Sequence, residues 1–154
     1  MAFAAAWLAA IVMVAVQMSG VRIGVDAHAY WAVWHLGLYG PRMAFGGPDA
    51  FLYSPAFAAA IWPLTLLSWP AFAAAWTALA LGTYAWLLWP LELPVRVPLL
   101  IASGAVAATG NIEWLIALAL VASARWPSAW AVPLLTKVSF GVGVVWYAAR
   151  GEWR

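Results

Sequence analysis

Apolar stretches suited to a lipid bilayer occupy most of this chain, at about residues 2–19, 54–69, 71–89, 95–110, 112–125 and 127–149. A full crossing takes about 20 apolar residues, so 154 residues give roughly five or six membrane segments and no soluble domain beside them. Hydrocarbon offers no water to backbone N–H and C=O groups, and a helix satisfies them within its own segment. The expected fold is therefore all-α: a polytopic membrane helix bundle forming a single domain, residues 1–154. The residue balance agrees, with 68% hydrophobic and 8% charged residues, against about 45–50% and about 25% in an average soluble domain. Trp69, Trp89, Trp126 and Trp153 stand at the breaks between segments, where aromatic rings anchor at headgroup level.

Several function classes drop out early. The seven basic residues are scattered singly despite a pI near 9.3, so no stripe exists to track a phosphate backbone, and nucleic acid is not an expected partner. Cysteine is absent, which removes disulfides, thiolate nucleophiles and cysteine metal sites. His28 and His35 are seven residues apart, about 10 Å along a helix, too far to share one metal ion. No metal and no cofactor are expected. Residues 1–20 have no Lys or Arg ahead of a run longer than a secretory signal core, so they read as a retained first membrane helix. The hexamer Ala-Phe-Ala-Ala-Ala-Trp occurs at 2–7 and 71–76, with a near copy at 56–62. Its flanks differ, and it reads as small-residue packing, as does Gly104 with Ala108.

Charge placement suggests a topology. If all six segments crossed from a cytoplasmic N-terminus, Arg22, Arg42, Arg96 and Arg125 would lie outside, against the positive-inside rule. If Ser54–Trp69, broken by Pro55 and Pro63, instead lies along or dips into the outer face, Arg96 and Arg125 join Arg150 and Arg154 in the cytoplasm. An inverted six-crossing arrangement satisfies the rule equally well. The preferred arrangement has a first helix at 1–20, an extracytoplasmic loop at 21–53, and the remaining membrane and interfacial helices at 54–150. The segment 127–149 then turns as two short arms around Lys137. Asp26, Asn111, Glu113 and Lys137 fall on one side, each near a segment end, as a site between helices requires. Polar residues that merely mark interfaces would give the same pattern.

An acid at the mouth of a membrane bundle is costly and so a candidate site, yet Asp26 could equally cap the helix-compatible run that follows it to about Leu38. On a continuous helix Tyr30 shares its face, whereas His28 and His35 lie roughly opposite, which disfavours an Asp26–His dyad. Tyr30, Trp31 and Trp34 read as interfacial aromatics or as a wall against a sugar ring or lipid. Tyr39-Gly40-Pro41 and Gly46-Gly47-Pro48-Asp49 are turn chemistry, with glycine supplying positive φ. Arg22 and Arg42 suit lipid headgroups or a bound phosphate. Lys137 has apolar segments on both sides, so its ammonium must snorkel, pair or bind an anion, with phosphate an obvious candidate.

Asp26-x-x-x-Tyr30-Trp31, the Gly/Pro-rich turn, Phe51-Leu52-Tyr53-Ser54-Pro55, Pro63-Leu64, Trp76, Gly110-Asn111 and Lys137, in that order, resemble the N-terminal part of glycosyltransferase family 87. Members of this family are polyprenyl-phosphate-mannose-dependent mannosyltransferases with the GT-C membrane fold. The resemblance spans roughly residues 20–150 and implies a GT-C-like bundle in a prokaryotic plasma membrane. It implies inverting transfer of a hexose, mannose in the family, from a polyprenyl-phosphate-linked sugar to an acceptor hydroxyl on the extracytoplasmic side. Asp26 would be the general base, and Lys137, with Arg22 or Arg42, would stabilise the leaving phosphate. Asn111 and Glu113 would bind sugar hydroxyls, and Tyr30 and Tyr53 would line the pocket. Family members are longer, so membrane lipids and a second membrane chain completing the donor groove are the expected partners. The alternative is a non-catalytic small membrane subunit or a truncated remnant of such an enzyme. A transporter is a third reading, although no inverted repeat is visible.

Overall fold

The computed structural model describes residues 2–19, 23–41, 47, 49–137, 145, 149 and 150. Helix is the only regular structure among them: α1 (Ala2–Met18), α2 (Val25–Ala32), α3 (Pro55–Thr65), α4 (Trp69–Leu88), α5 (Leu93–Thr109), α6 (Glu113–Ser123) and α7 (Ala131–Thr136), with a 3-10 turn at Pro127–Trp130. Proline opens α3, α4 and α5 in the first turn, where a missing N–H costs nothing because the helix has no carbonyl there to receive it. Ser54 completes the start of α3 by accepting a hydrogen bond from the Phe57 backbone N–H at 3.3 Å.

Helix length discriminates among the expected segments. Among the described residues only α4, at 20 residues, is long and apolar enough to cross a bilayer by itself, spanning about 30 Å. The 17-residue α1 and α5 reach the short end of the crossing range of about 17–25 residues. The 11-residue α3 and α6 extend only about 16 Å. The stretch from 127 does not continue as one helix: α7 stops after six residues and Lys137 is extended, with φ −129° and ψ 100°. Residues 138–144, which begin the second expected arm, lie outside the described residues.

Packing assigns different work to the repeated hexamers. α1 lies along α5 and buries Ala6 and Ala10 while leaving Trp7 exposed. Trp76, the tryptophan of the second copy, is buried at the centre of an aromatic core with Tyr30, Phe57, Phe72 and Trp114. Its ring centroid lies 5.3 Å from Tyr30 and 5.1 Å from Trp114. A Cβ built at Gly104 would meet nothing within 4 Å, so the expected close approach at Gly104 and Ala108 is not found at Gly104 among the described residues. Leu8, Ile11, Val16, Leu79, Leu81, Ile101 and Val121 point outward.

The polar stretch after α1 is fastened to α3. Trp31 and Trp34 donate ring N–H bonds to the carbonyls of Leu67 and Ala58, and His35 donates from Nε2 to the Thr65 carbonyl at 3.2 Å. The run toward Leu38 is helical only to Ala32. In the Tyr39-Gly40-Pro41 turn it is Tyr39, not Gly40, that takes positive φ, at 58°. Its hydroxyl donates to the Tyr53 carbonyl, which holds this otherwise unfavourable conformation in place.

Candidate functional site

The site is organised by one glycine. Gly110 ends α5 in the left-handed conformation, φ 76°, and a Cβ added there would stand 2.3 Å from the Cβ of Ala27. Only glycine permits both the dihedral and that approach. The Gly24 N–H donates to the Ala108 carbonyl at 2.8 Å, and Trp76 Nε1 donates to the Gly110 carbonyl at 2.8 Å. The start of α2 is thereby seated on the end of α5.

Asp26 is consequently not the helix cap. Gly24, at φ 72°, precedes the first helical residue Val25, and Asp26 lies within the first turn with no side-chain capping bond. Its carboxylate faces the α5–α6 turn instead, where Asn111 Nδ2 donates to Asp26 Oδ2 at 3.1 Å. The other end of the same amide, Asn111 Oδ1, accepts from Lys137 Nζ at 3.4 Å. Lys137 Nζ also donates to Glu113 Oε1 at 3.2 Å. Carboxylate, amide, ammonium and carboxylate thus form a continuous chain drawn from α2, the α5–α6 turn and the end of α7. The amide orientation follows from the chemistry, since an NH2 must face the acid and a carbonyl the ammonium.

Burial pushes the Asp26 carboxyl above its ordinary value of 3.8, and the Asn111 hydrogen bond and the Lys137 charge pull it back in part. Thr109 has no role in the sequence reading. Its buried hydroxyl donates to the Val106 carbonyl at 2.8 Å and accepts from the Asn111 N–H at 3.3 Å. A hydroxyl just ahead of the helix-ending Gly-Asn step was the available signal.

Tyr30 and Tyr53 meet through their hydroxyls at 2.9 Å. Burial drives both phenols above their usual range, so they remain neutral hydrogen-bonding groups. The loop carrying Tyr53 is tied to α7, because the Ser54 N–H donates to the Leu135 carbonyl at 3.3 Å. Lys137 and Tyr53 are therefore held by a shared piece of backbone. Arg22 and Arg42 lie outside the described residues.

His28 has a partner of its own. Its Nδ1 pairs with Asp49 Oδ1 at 2.5 Å, and its ring stands edge-on to Trp69 at 4.8 Å. The sequence reading gave Asp49 only a place in a turn, since no helical spacing joins residues separated by the Gly/Pro stretch. Among the described residues no three His, Asp or Glu side chains are grouped as a metal would need.

α5 itself gives the site a polar direction. Asn111 and Glu113 follow its C-terminal end, whereas Arg96 lies in its first turn, 13 residues before Thr109 and about 20 Å away at helical rise. Compared with family models, curated proteins and solved structures, the chain matches none.

Proposed function

We propose that this chain is a membrane-embedded glycosyltransferase of the GT-C type. It transfers a hexose, mannose by the family resemblance, from a polyprenyl-phosphate-linked sugar to an acceptor hydroxyl. The observation that carries this reading is the half-buried Asp26 carboxylate joined through Asn111 to the Lys137 ammonium. A base and a cation are held at a fixed separation by one amide, which suits a displacement at a sugar carbon bearing a phosphate leaving group.

The acceptor oxygen attacks the anomeric carbon as its proton passes to Asp26. The bond from that carbon to the phosphate oxygen breaks on the opposite face, and its electron pair stays with the phosphate. An Asp whose basicity is raised by burial is better matched to this task than a fully solvated one. Lys137 uses two of its three N–H donors on Asn111 and Glu113 among the described residues, leaving one for a phosphate oxygen. Asn111, engaged at both ends, orients the base. Tyr30 and Tyr53 form the wall beside it.

The same proposal places the protein in a prokaryotic plasma membrane, N-terminus cytoplasmic, as a polytopic bundle. α4 crosses, α5 packs against it and α1 against α5, and the outward Leu, Ile and Val residues face lipid. The end of α5 that leads into Asn111 is extracytoplasmic and its Arg96 end cytoplasmic, in keeping with the positive-inside rule.

The test is transfer of labelled mannose from polyprenyl-phosphate-mannose to a soluble alkyl mannoside by the purified chain, alone and with added membrane extract. The expected result is transfer by wild type and a loss of about 10²–10³-fold in Lys137→Met. No transfer under either condition would leave the chain as a non-catalytic subunit or remnant.

A further inference from the structure

Resting on the reading of Lys137 as a phosphate-binding group, we propose that Glu113 is a built-in competitor for that phosphate, and that it favours release of the spent lipid phosphate over the sugar-loaded donor. This differs from a sugar-hydroxyl role for Glu113, and the two roles have opposite signs.

Three observations support it. Glu113 Oε1 holds Lys137 Nζ at 3.2 Å, beside the third N–H that a phosphate oxygen would take. Its side chain is 45% exposed against 29% for Lys137, so it can turn into solvent without disturbing the core. Asn111, the other partner of the ammonium, is committed to Asp26 as well, which makes the carboxylate the exchangeable contact. Glu113 also has a second resting place: it is the first residue of α6, whose preceding residue Ile112 makes no side-chain cap. A carboxylate there is stabilised by the free N–H groups and the positive end of the helix.

The chemistry of the reaction gives the competitor its direction. The donor carries a phosphodiester with one negative charge. Transfer of the sugar leaves a phosphate monoester whose second pKa is about 6, and which is therefore close to dianionic at neutral pH. Repulsion from Glu113 scales with that charge. The carboxylate penalises the product about twice as strongly, in free energy, as it penalises the substrate.

The experiment measures binding of farnesyl phosphate, methyl farnesyl phosphate and inorganic phosphate to the full chain in dodecyl maltoside. The proteins are wild type, Glu113→Gln, Glu113→Ala and Lys137→Met, each checked by thermal melt. Repulsion between two partly exposed unit charges is of the size measured for exposed ion pairs, about a 3-fold change for the diester, which squares to about 10-fold for the dianion. The expected result is tighter binding by those factors in Glu113→Gln, with Glu113→Ala following if glutamine packs poorly, and loss of binding in Lys137→Met. Weaker or unchanged monoester binding in both Glu113 variants overturns the competitor role and leaves the proposed activity standing. Absence of phosphate binding in folded wild type and variants overturns both. Inorganic phosphate bound as tightly as farnesyl phosphate, and tightened by Glu113→Gln, sustains the competitor and overturns the lipid donor.

Discussion

Replacing Gly110 with alanine asks whether the junction of α2 and α5 is what builds the site. The new methyl would stand 2.3 Å from Ala27 Cβ and 2.8 Å from Ala27 N, at a residue whose φ is 76°. Holding an L-residue in the left-handed region costs about 1–2 kcal/mol, and forcing a methyl into a filled space about 1–3 kcal/mol. Together they set a loss of about 2–5 kcal/mol. For a chain of this size, at about 2–4 °C per kcal/mol, the melt in detergent should fall by about 4–20 °C. Ala27→Gly removes the closest contact but leaves the dihedral and the 2.8 Å approach to the backbone N of residue 27, so the double variant should recover only part of the loss, with a coupling energy of about 0.5–1 kcal/mol. A Gly110→Ala protein that melts within 1 °C of wild type, or a coupling near zero, would refute the idea that this glycine seats Asp26 against Asn111.

The remaining expectations concern protons and buried donors. If Asp26 must be ionised to work, activity should fall on the acid side at a pH above 3.8, because burial raises its pKa. Asn111→Leu removes the strongest opposing contact, so the acid limb of the pH–rate profile should move higher still; movement to lower pH would contradict the assignment. Folded Asp26 holds its proton more tightly than the unfolded chain. Its contribution to stability is therefore full below 3.8 and lost as pH rises through the folded value, and Asp26→Asn should melt no lower than wild type at pH 7. Trp76 donates to the buried Gly110 carbonyl, whereas the buried Trp114 Nε1 has no partner among the described residues. Both Trp→Phe changes remove the same volume, so Trp76→Phe should cost about 1–3 kcal/mol more than Trp114→Phe, read by chemical denaturation; equal costs would contradict the hydrogen-bond argument.

The helical class was legible because the apolar runs leave a backbone few other ways to satisfy itself, whereas Pro55 and Pro63, read as breaks, open α3 and lie inside it. Helix lengths were less legible, since hydropathy does not show where Gly110 takes a left-handed dihedral or where Lys137 becomes extended. Asp26, Asn111, Glu113 and Lys137 were grouped by a topological argument about sides of a membrane. Their actual linkage depends on an 85-residue separation closed by the contact of Gly110 with Ala27, which no local pattern encodes. The same limit hid the His28–Asp49 pair. It also made Asp26 look like a cap, because Gly24 in a left-handed conformation takes the position a capping aspartate would fill.

The most direct measurement is the rate of mannosyl transfer from polyprenyl-phosphate-mannose by the Asp26→Asn protein, with its melt as a control for folding. Asparagine keeps an oxygen for Asn111 Nδ2 but cannot take the acceptor's proton, so turnover should fall by about 10²–10⁴-fold while the melt is maintained. A folded Asp26→Asn protein that turns over at the wild-type rate would contradict the account.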